Sequence, residues 1–288
     1  MAKTSVALGN FDGVHLAHRR IIDIAVGGAD EGLIPAIALF KVHPGEVVNG
    51  THEYITEPCQ REEILRGLGV EKFYYMDFKK VRDYSPRSFF KDVLVDKLDA
   101  AQVVCGFNYT FGRRASGDVS TLSSLCEEFG VKLCVAPQMN MYGEPISSTR
   151  IKSLIKGGEV KKAAEMLGRN FSYISEVKGG KHMGRELGFP TINQFLHSGI
   201  VVPRFGVYAS DVIIGDRVYK GATNIGTSPT LPGDGFRSET YIHDFEGDLY
   251  GELVRIELKR FIRPEMKFSC VEELVERVNI DKEITRGY

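Results

Sequence analysis

The sequence lacks a charge excess: 37 Lys+Arg stand against 38 Asp+Glu, a formal net charge of -1. No global field draws the chain to nucleic acid or to a membrane surface, so any anionic ligand must be held by local groups. Paired thiols are also lacking. The five cysteines (Cys59, Cys105, Cys126, Cys134 and Cys270) are odd in number and show no C-x-x-C spacing. They read as reduced, mostly buried thiols of a cytoplasmic protein. No apolar run approaches membrane length, and the amino terminus enters a strand at once with no signal-peptide core. Neither a membrane span nor secretion is expected. The phosphate-binding string G-x-x-x-x-G-K-[ST] does not occur, which excludes a Walker loop. No internal repeat and no low-complexity segment breaks the chain.

What is present is an ordinary globular composition, 43% hydrophobic and 26% charged, over 288 residues. That length suggests about two domains, each able to bury its own core. Near the start, residues 5–8 read as a buried strand and residues 18–25 carry the apolar spacing of a helix. Between them lies Gly9-Asn10-Phe11-Asp12-Gly13-Val14-His15-Leu16-Ala17-His18. Two imidazoles three residues apart therefore fall where a strand stops and a helix starts. Backbone N–H groups at a helix N-terminus are unpaired and the helix dipole favours anions there. With two histidine donors added, the place reads as a phosphate cradle.

Alternation continues through the first part. Strands are expected over 34–40, 72–76, 103–105 and 131–135, with helices from a Thr56 cap to 68, from a Ser85 cap and Pro86 to 98, over 118–129 and over 160–167. This predicts a parallel sheet covered by helices, which binds ligands at the carboxyl ends of its strands. His15, His43 and Asn108 all follow strands, so a single cleft could collect them. Lys41, His43 and Arg113 taken singly read as surface positions. Ser147, Ser148 and Thr149 followed by Arg150 open another helix, a second anion site by the same physics.

After Gly168 the texture changes. Strand-like runs at 171–177, 207–213, 217–223, 238–242 and 254–261 follow one another without helices, and one helix from 271 to about 278 comes near the end. This predicts an antiparallel barrel. Within it lies Gly184-Arg185-Glu186-Leu187-Gly188-Phe189-Pro190-Thr191-Ile192-Asn193. The glycines let backbone approach a ligand, Pro190 stiffens the turn, and Thr191 with Asn193 offers short oxygen ligands suited to Mg²⁺ and phosphate. Read as structure alone, it is a turn into an edge strand.

These strings resemble known signatures. The leading stretch is similar to the H-x-G-H signature of nucleotidylyltransferases, in the G-N-F-D-G-V-H form of bacterial FAD synthetases, with Ala17 standing where that signature has glycine. Residues 146–151 match I-S-S-T-R-I of the same family. Residues 184–193 match G-R-x-L-G-F-P-T-x-N of riboflavin kinases, and residues 244–251 match their D-F-x-G-D-L-Y-G, preceded by a strand carrying Glu239. The chain thus resembles bifunctional riboflavin kinase/FMN adenylyltransferases. The resemblance implies a nucleotidylyltransferase-like domain over 1–169 and a riboflavin kinase barrel over 170–288. It implies ATP as co-substrate, riboflavin and FMN as small-molecule partners, Mg²⁺, no nucleic acid, no membrane, and a monomer or weak homo-oligomer. Gly9, Phe11, Asp12, His15, His18 and 147–150 would meet ATP in the first domain. Gly184, Arg185, Gly188, Pro190, Thr191 and Asn193 would meet it in the second, the last two also meeting the metal. Asn108 would touch flavin, and Glu239 would serve as base toward it. His15, His18 and Arg150 are the catalytic candidates of the adenylyl step. The alternative is a riboflavin kinase whose first domain is weakened at Ala17, and a flavin-binding module with dead sites is a further reading.

Overall fold

The computed structural model describes residues 2–179, 187–196, 199–227 and 236–288. The chain divides into two compact units, one of residues 1–52 and 58–147 and one of residues 53–57 and 148–288.

The first unit is built on five parallel strands: β1 (Thr4–Leu8), β2 (Ile34–Phe40), β3 (Lys72–Met76), β4 (Ala100–Gly106) and β5 (Lys132–Ala136). Their order is β3-β2-β1-β4-β5. Every residue of β1 is buried, Thr4 and Ser5 included, as expected of a central parallel strand covered on both faces. Alternate residues feed two cores. Val6 and Leu8 join Phe90, Leu94 and Leu122 on one face, while Ala7 joins Ile22, Ile37 and Leu65 on the other. Helix α1 (Leu16–Gly27) buries Ile21, Ile22 and Ala25, and α2 (Pro58–Gly67) buries Leu65. On the opposite face lies α3 (Val119–Phe129), capped by the Asp118 side chain accepting from the Thr121 N–H. Strand order reverses direction between β1 and β4, and the crevice outside their carboxyl ends is where such sheets hold ligands.

The second unit contains α4 (Ser148–Lys156) and α5 (Val160–Leu167), then six strands: β6 (Phe171–Lys178), β7 (Thr191–Leu196), β8 (Gly206–Ile214), β9 (Arg217–Thr227), β10 (Phe236–Ile242) and β11 (Leu253–Arg263). They close an antiparallel barrel in the order β8-β9-β10-β7-β6-β11. Part of its buried side is polar. The Tyr173 hydroxyl meets Ser238 Oγ at 2.6 Å, Ser210 Oγ meets Thr223 Oγ1 at 2.7 Å, and Thr223 meets Thr240 at 2.9 Å. Buried hydroxyls are tolerated because each satisfies its neighbour. The terminal helix α6 (Val271–Arg286) is fastened to the barrel by its own buried polar residues. Arg263 grips Asp281 through Nε and Nη2 at 2.9 and 2.6 Å, and His243 Nε2 lies 3.0 Å from Thr285 Oγ1.

Several expectations are corrected. Thr56 does not cap a helix: its hydroxyl accepts from Arg169 Nη2 at 3.0 Å, and α2 starts at Pro58. The Ser85 cap forms, but after Pro86–Ser88 the chain continues as π-helix over Phe89–Val95. The Gly-Pro segment leads into β7, which pairs with both β10 and β6 and so is no edge strand. Helix α6 runs well past 278. The thiols are not mostly buried: Cys105 and Cys126 are, Cys134 is half-buried, and Cys59 and Cys270 are exposed. Gly184 and Arg185 lie outside the described residues.

Candidate functional site

At the carboxyl end of β1 the chain makes a strained turn. Phe11, Gly13 and Val14 have φ of 52°, 80° and 39°, and only the glycine adopts this region without cost. Gly9 is needed for space, since a Cβ there would lie 3.1 Å from the Phe11 ring. The turn buries Asp12 and His15, at 3% and 4% exposure. His15 is the N-cap of α1, its Nδ1 accepting from the His18 N–H at 3.2 Å. That acceptor role leaves the proton of a neutral His15 on Nε2. The His18 ring stacks on His15 with centroids 3.5 Å apart, and the Phe11 ring meets it at 5.2 Å in an edge contact. Burial, and then the neighbouring His15, push His18 well below the ordinary histidine value, against the pull of Asp12. Its Nδ1 is buried and has no hydrogen-bond partner among the described residues. His18 is therefore a neutral hydrogen-bonding group at neutral pH rather than a standing cation.

A second imidazole pair sits beside this turn. His43 and His52 stack at 3.6 Å with planes 10° apart. His43 Nδ1 accepts from the Gly45 N–H at 3.0 Å, and its Nε2 lies 3.3 Å from the Asn10 carboxamide. His52 Nε2 is 3.7 Å from Asp12 Oδ2. Arg61, buried on α2, donates to the Asn10 carbonyl at 3.0 Å. His43, expected at the surface, is half-buried. Asn10, His52 and Arg61 were not singled out from the sequence, because a loop and a separate helix bring them in. Ala17 is the second residue of α1, right-handed and half-buried. Asn108 follows β4 and is exposed beside Phe107, itself 47% exposed. Ser147 ends the first compact unit, whereas Ser148, Thr149 and Arg150 form the first turn of α4 in the second, with Arg150 half-buried.

The barrel unit holds a cavity of about 770 Å³. Side chains alternate along a strand, so Glu239 points away from the face that buries Ser238 and Thr240. In the ladder Asn224 lies opposite Glu239, and Glu239 opposite Asn193. All three line the cavity with Thr191, Pro190 and Arg237. Arg237 Nη2 is 3.2 Å from Glu239 Oε1. Aromatic and aliphatic groups form the remaining wall, among them Phe189, Phe245, Leu249 and, from α6, Leu274 and Val278. Gly188 has a φ of 82° at the turn into β7. Arg237, Asn224 and Tyr241 are lining residues that sequence reasoning missed; strand register alone could have found them.

Comparison with known proteins bears on both sites. A family model described as FAD synthetase matches residues 1–150, and one described as riboflavin kinase matches residues 167–288. Curated proteins named bifunctional riboflavin kinase/FMN adenylyltransferase match along nearly the whole chain. That of Listeria monocytogenes is 32% identical over 98% of this chain and 91% of its own, and that of Bacillus subtilis 33% over the same shares. This chain belongs to the bifunctional riboflavin kinase/FMN adenylyltransferase family. Both catalytic domains of the family are present, which favours a bifunctional enzyme over a kinase with a lapsed first domain. The crystal structure described as a macrolide-efflux protein from Streptococcus pneumoniae superposes with a TM-score of 0.91 at 31% identity, covering 100% of this chain and 95% of that one. Efflux is that protein's description. Among the described residues of this family member no helix is long and apolar enough to cross a membrane.

Proposed function

We propose that the two reactions of the family are divided between the two sites, riboflavin phosphorylation in the barrel cavity and FMN adenylylation at the β1–α1 turn. The observation that carries the barrel half is the ladder row Asn224–Glu239–Asn193 facing one cavity with an apolar wall. A ribityl hydroxyl is neutral and must lose a proton to attack phosphorus. Glu239 takes that proton, the hydroxyl oxygen bonds to the γ-phosphorus of ATP, and ADP leaves. Arg237 holds the Glu239 carboxylate in place, and the apolar wall takes the flavin ring. Gly184, Arg185, Gly188 and Pro190 serve ATP in this reading.

Mg²⁺ fits the donor set. Thr191 and Asn193 offer neutral oxygens, and no cluster of three His, Cys, Asp or Glu suited to a metal occurs among the described residues. This suits a metal that is carried in largely by phosphate oxygens and water, with few protein ligands. When bound there it offsets phosphate charge; Thr191 and Asn193 would hold it.

In the adenylyl step a phosphate oxygen of FMN attacks the α-phosphorus of ATP and pyrophosphate leaves. Like charges ~4 Å apart repel by ~4 kcal/mol at an effective dielectric near 20. The α1 N-terminus, His15 Nε2–H and His18 meet that charge as preorganised donors. Gly9 and Phe11 shape the turn around them. Ser147, Ser148, Thr149 and Arg150 serve ATP in the adenylyl step, a reading supported by the FAD synthetase match extending to residue 150. Functionally the first domain then runs over 1–169 and the kinase over 170–288. Asn108 contacts the flavin. A cytoplasmic location accords with the five free thiols. Incubation of the full chain with riboflavin, ATP and Mg²⁺, resolved by chromatography, tests the reading. FMN should appear first and FAD after it; FMN alone would overturn the adenylyl assignment.

A further inference from the structure

The terminal helix α6 forms part of the wall of the barrel cavity, yet its buried residues are not its apolar ones. Leu274, Val278, Asp281 and Thr285 recur at helical spacing along one stripe of α6. Leu274 and Val278 line the cavity, and both are only half-buried. The fully buried residues of the helix are polar, Asp281 at 3% and Thr285 at 1% exposure. A helix held by polar contacts takes its position from them, so these contacts set where the apolar wall stands.

At Asp281 the contact is the Arg263 pair, backed by Arg277 Nη2 at 3.1 Å. At Thr285 it is made by His243, 3% exposed, the residue that follows β10. The His243 backbone N–H donates to the Lys220 carbonyl of β9 at 2.9 Å, while the Lys220 ammonium is turned to Asp211 at 3.0 Å. His243 Nε2 lies 3.0 Å from Thr285 Oγ1, and that hydroxyl donates to the Lys282 carbonyl at 3.1 Å. A hydroxyl has one proton to give, so Nε2 is the donor and Nδ1 of the neutral ring is bare. Nδ1 is buried and finds no partner among the described residues. The Tyr241 ring meets His243 edge-on at 5.2 Å, with Lys282 Nζ 4.4 Å over the tyrosine. The charges around the ring are Asp244 beside it in the chain and Lys282, Glu283 and Arg286 from α6, Arg286 pairing with Asp244 at 3.0 Å. Burial, and then Arg286, hold His243 below the ordinary histidine value. The neutral, donating ring is thus the form that latches α6.

The geometry points to His243 as a positioning residue of riboflavin phosphorylation: by donating to Thr285 it ties the last turn of α6 to the strand that carries Glu239, and so sets the apolar wall against the base. The inference rests on the reading of the barrel cavity as the riboflavin site. His243 is not among the residues lining that cavity, and it acts through α6. Loosening the latch withdraws Leu274 and Val278 from the flavin ring. Riboflavin is then held less tightly, while the ATP end at Thr191 and Asn193 stays as it was.

The test uses the full chain, with FMN formation from riboflavin and ATP as readout and thermal melting to confirm folding at the assay temperature. His243→Phe keeps a ring and removes the donor. It should raise the riboflavin KM about tenfold, the scale of a lost buried hydrogen bond, with smaller changes in kcat and in the ATP KM. A merely structural defect would lower the folded fraction instead, and with it the apparent kcat at unchanged KM. Thr285→Val removes the other end of the same bond and should raise the riboflavin KM likewise; it decides alone if His243→Phe does not fold. The double variant should be no worse than either single one. His243→Gln, which can still donate, should recover most of the loss. As pH falls from about 7.5 to about 5.5, the riboflavin KM should rise in the unsubstituted chain and stay flatter in His243→Gln. Glu239→Gln separates the two levels: if it leaves FMN formation unchanged, the site reading fails. If Glu239→Gln is damaging while folded His243→Phe or Thr285→Val keeps the original riboflavin KM, the role of His243 is overturned. Additive effects in the double variant, an ATP KM raised as much as that for riboflavin, or a His243→Gln variant no better than His243→Phe overturn it too. So does an equal pH slope of KM with and without the histidine.

Discussion

The β1–α1 turn holds the His18 imidazole well below the ordinary histidine value, whereas the barrel cavity keeps its carboxylate beside a guanidinium. His18 is pushed down by burial and by His15, and Glu239 lies 3.2 Å from Arg237. In the proposed assignment the difference follows from what each reaction asks. Adenylyl transfer brings an anion that is already a nucleophile, so donors and charge offset suffice. Riboflavin offers a neutral hydroxyl, so the barrel must supply a base. One site is therefore made of a helix end and a strained turn, which present N–H groups. The other is made of facing strands, which can place an acid between two amides.

The comparison breaks most visibly at the base. Glu239→Gln keeps shape and loses the proton acceptor, so FMN formation should fall by at least about a hundredfold while FMN-to-FAD conversion is unchanged. Measured initial rates of the two half-reactions check this. At the other site, His18→Ala and Arg150→Ala should each lower FAD formation roughly a hundredfold, the usual cost of a transition-state donor of ~3 kcal/mol. Riboflavin phosphorylation by the same preparations should be unaltered. A loss below about threefold for both would place the anion site elsewhere.

A smaller effect sharpens the electrostatic side. His18 is lowered from 6.5 by burial, and His243 is lowered by burial and by Arg286. Unfolded, each histidine takes a proton near the ordinary value; folded, each takes it only at lower pH. The stability they confer is thus full above that value and is lost as pH falls toward the folded values. Melting temperatures should drop as pH is lowered from about 7.5 to about 5.5, and less steeply in His18→Asn. The smallest effect is at Ala17. Its backbone is right-handed in the first turn of α1, so glycine is not required for conformation there. Ala17→Gly should lower the ATP KM of FAD formation a few-fold by removing one methyl, and should cost the helix about 0.5–1 kcal/mol. An unchanged KM would mean that the methyl does not face the nucleotide.

How much of this the sequence discloses depends on whether the informing residues are contiguous. The parallel sheet and the barrel follow from hydrophobic runs, and β2, β3 and α5 begin and end where their patterns do. His15 and His18 are legible because one turn carries them both. His43 is legible only as a residue that follows a strand, and His52 is not legible, since a ring brought in by stacking leaves no periodicity. Asn224 and Asn193 flank Glu239 only through strand register, which composition does not encode. The π-helical stretch keeps apolar residues at Phe89, Phe90, Val93 and Leu94, a spacing equally compatible with α-helix. Helix α6 outlasts its apolar pattern because Asp281 and Thr285 anchor it by polar contacts instead. Thr56 satisfied the rule for a cap, yet a long-range arginine claimed its hydroxyl.

The central claim is that each site performs one reaction and neither needs the other's chemistry. Mixing the Glu239→Gln and His18→Ala proteins tests it most directly. Each variant alone, given riboflavin, ATP and Mg²⁺, should make little or no FAD, the first stopping at riboflavin and the second at FMN. Together they should restore FAD formation, because FMN released by the second is adenylylated by the first. A mixture that stays as inactive as its components, from proteins that fold normally, would contradict the account.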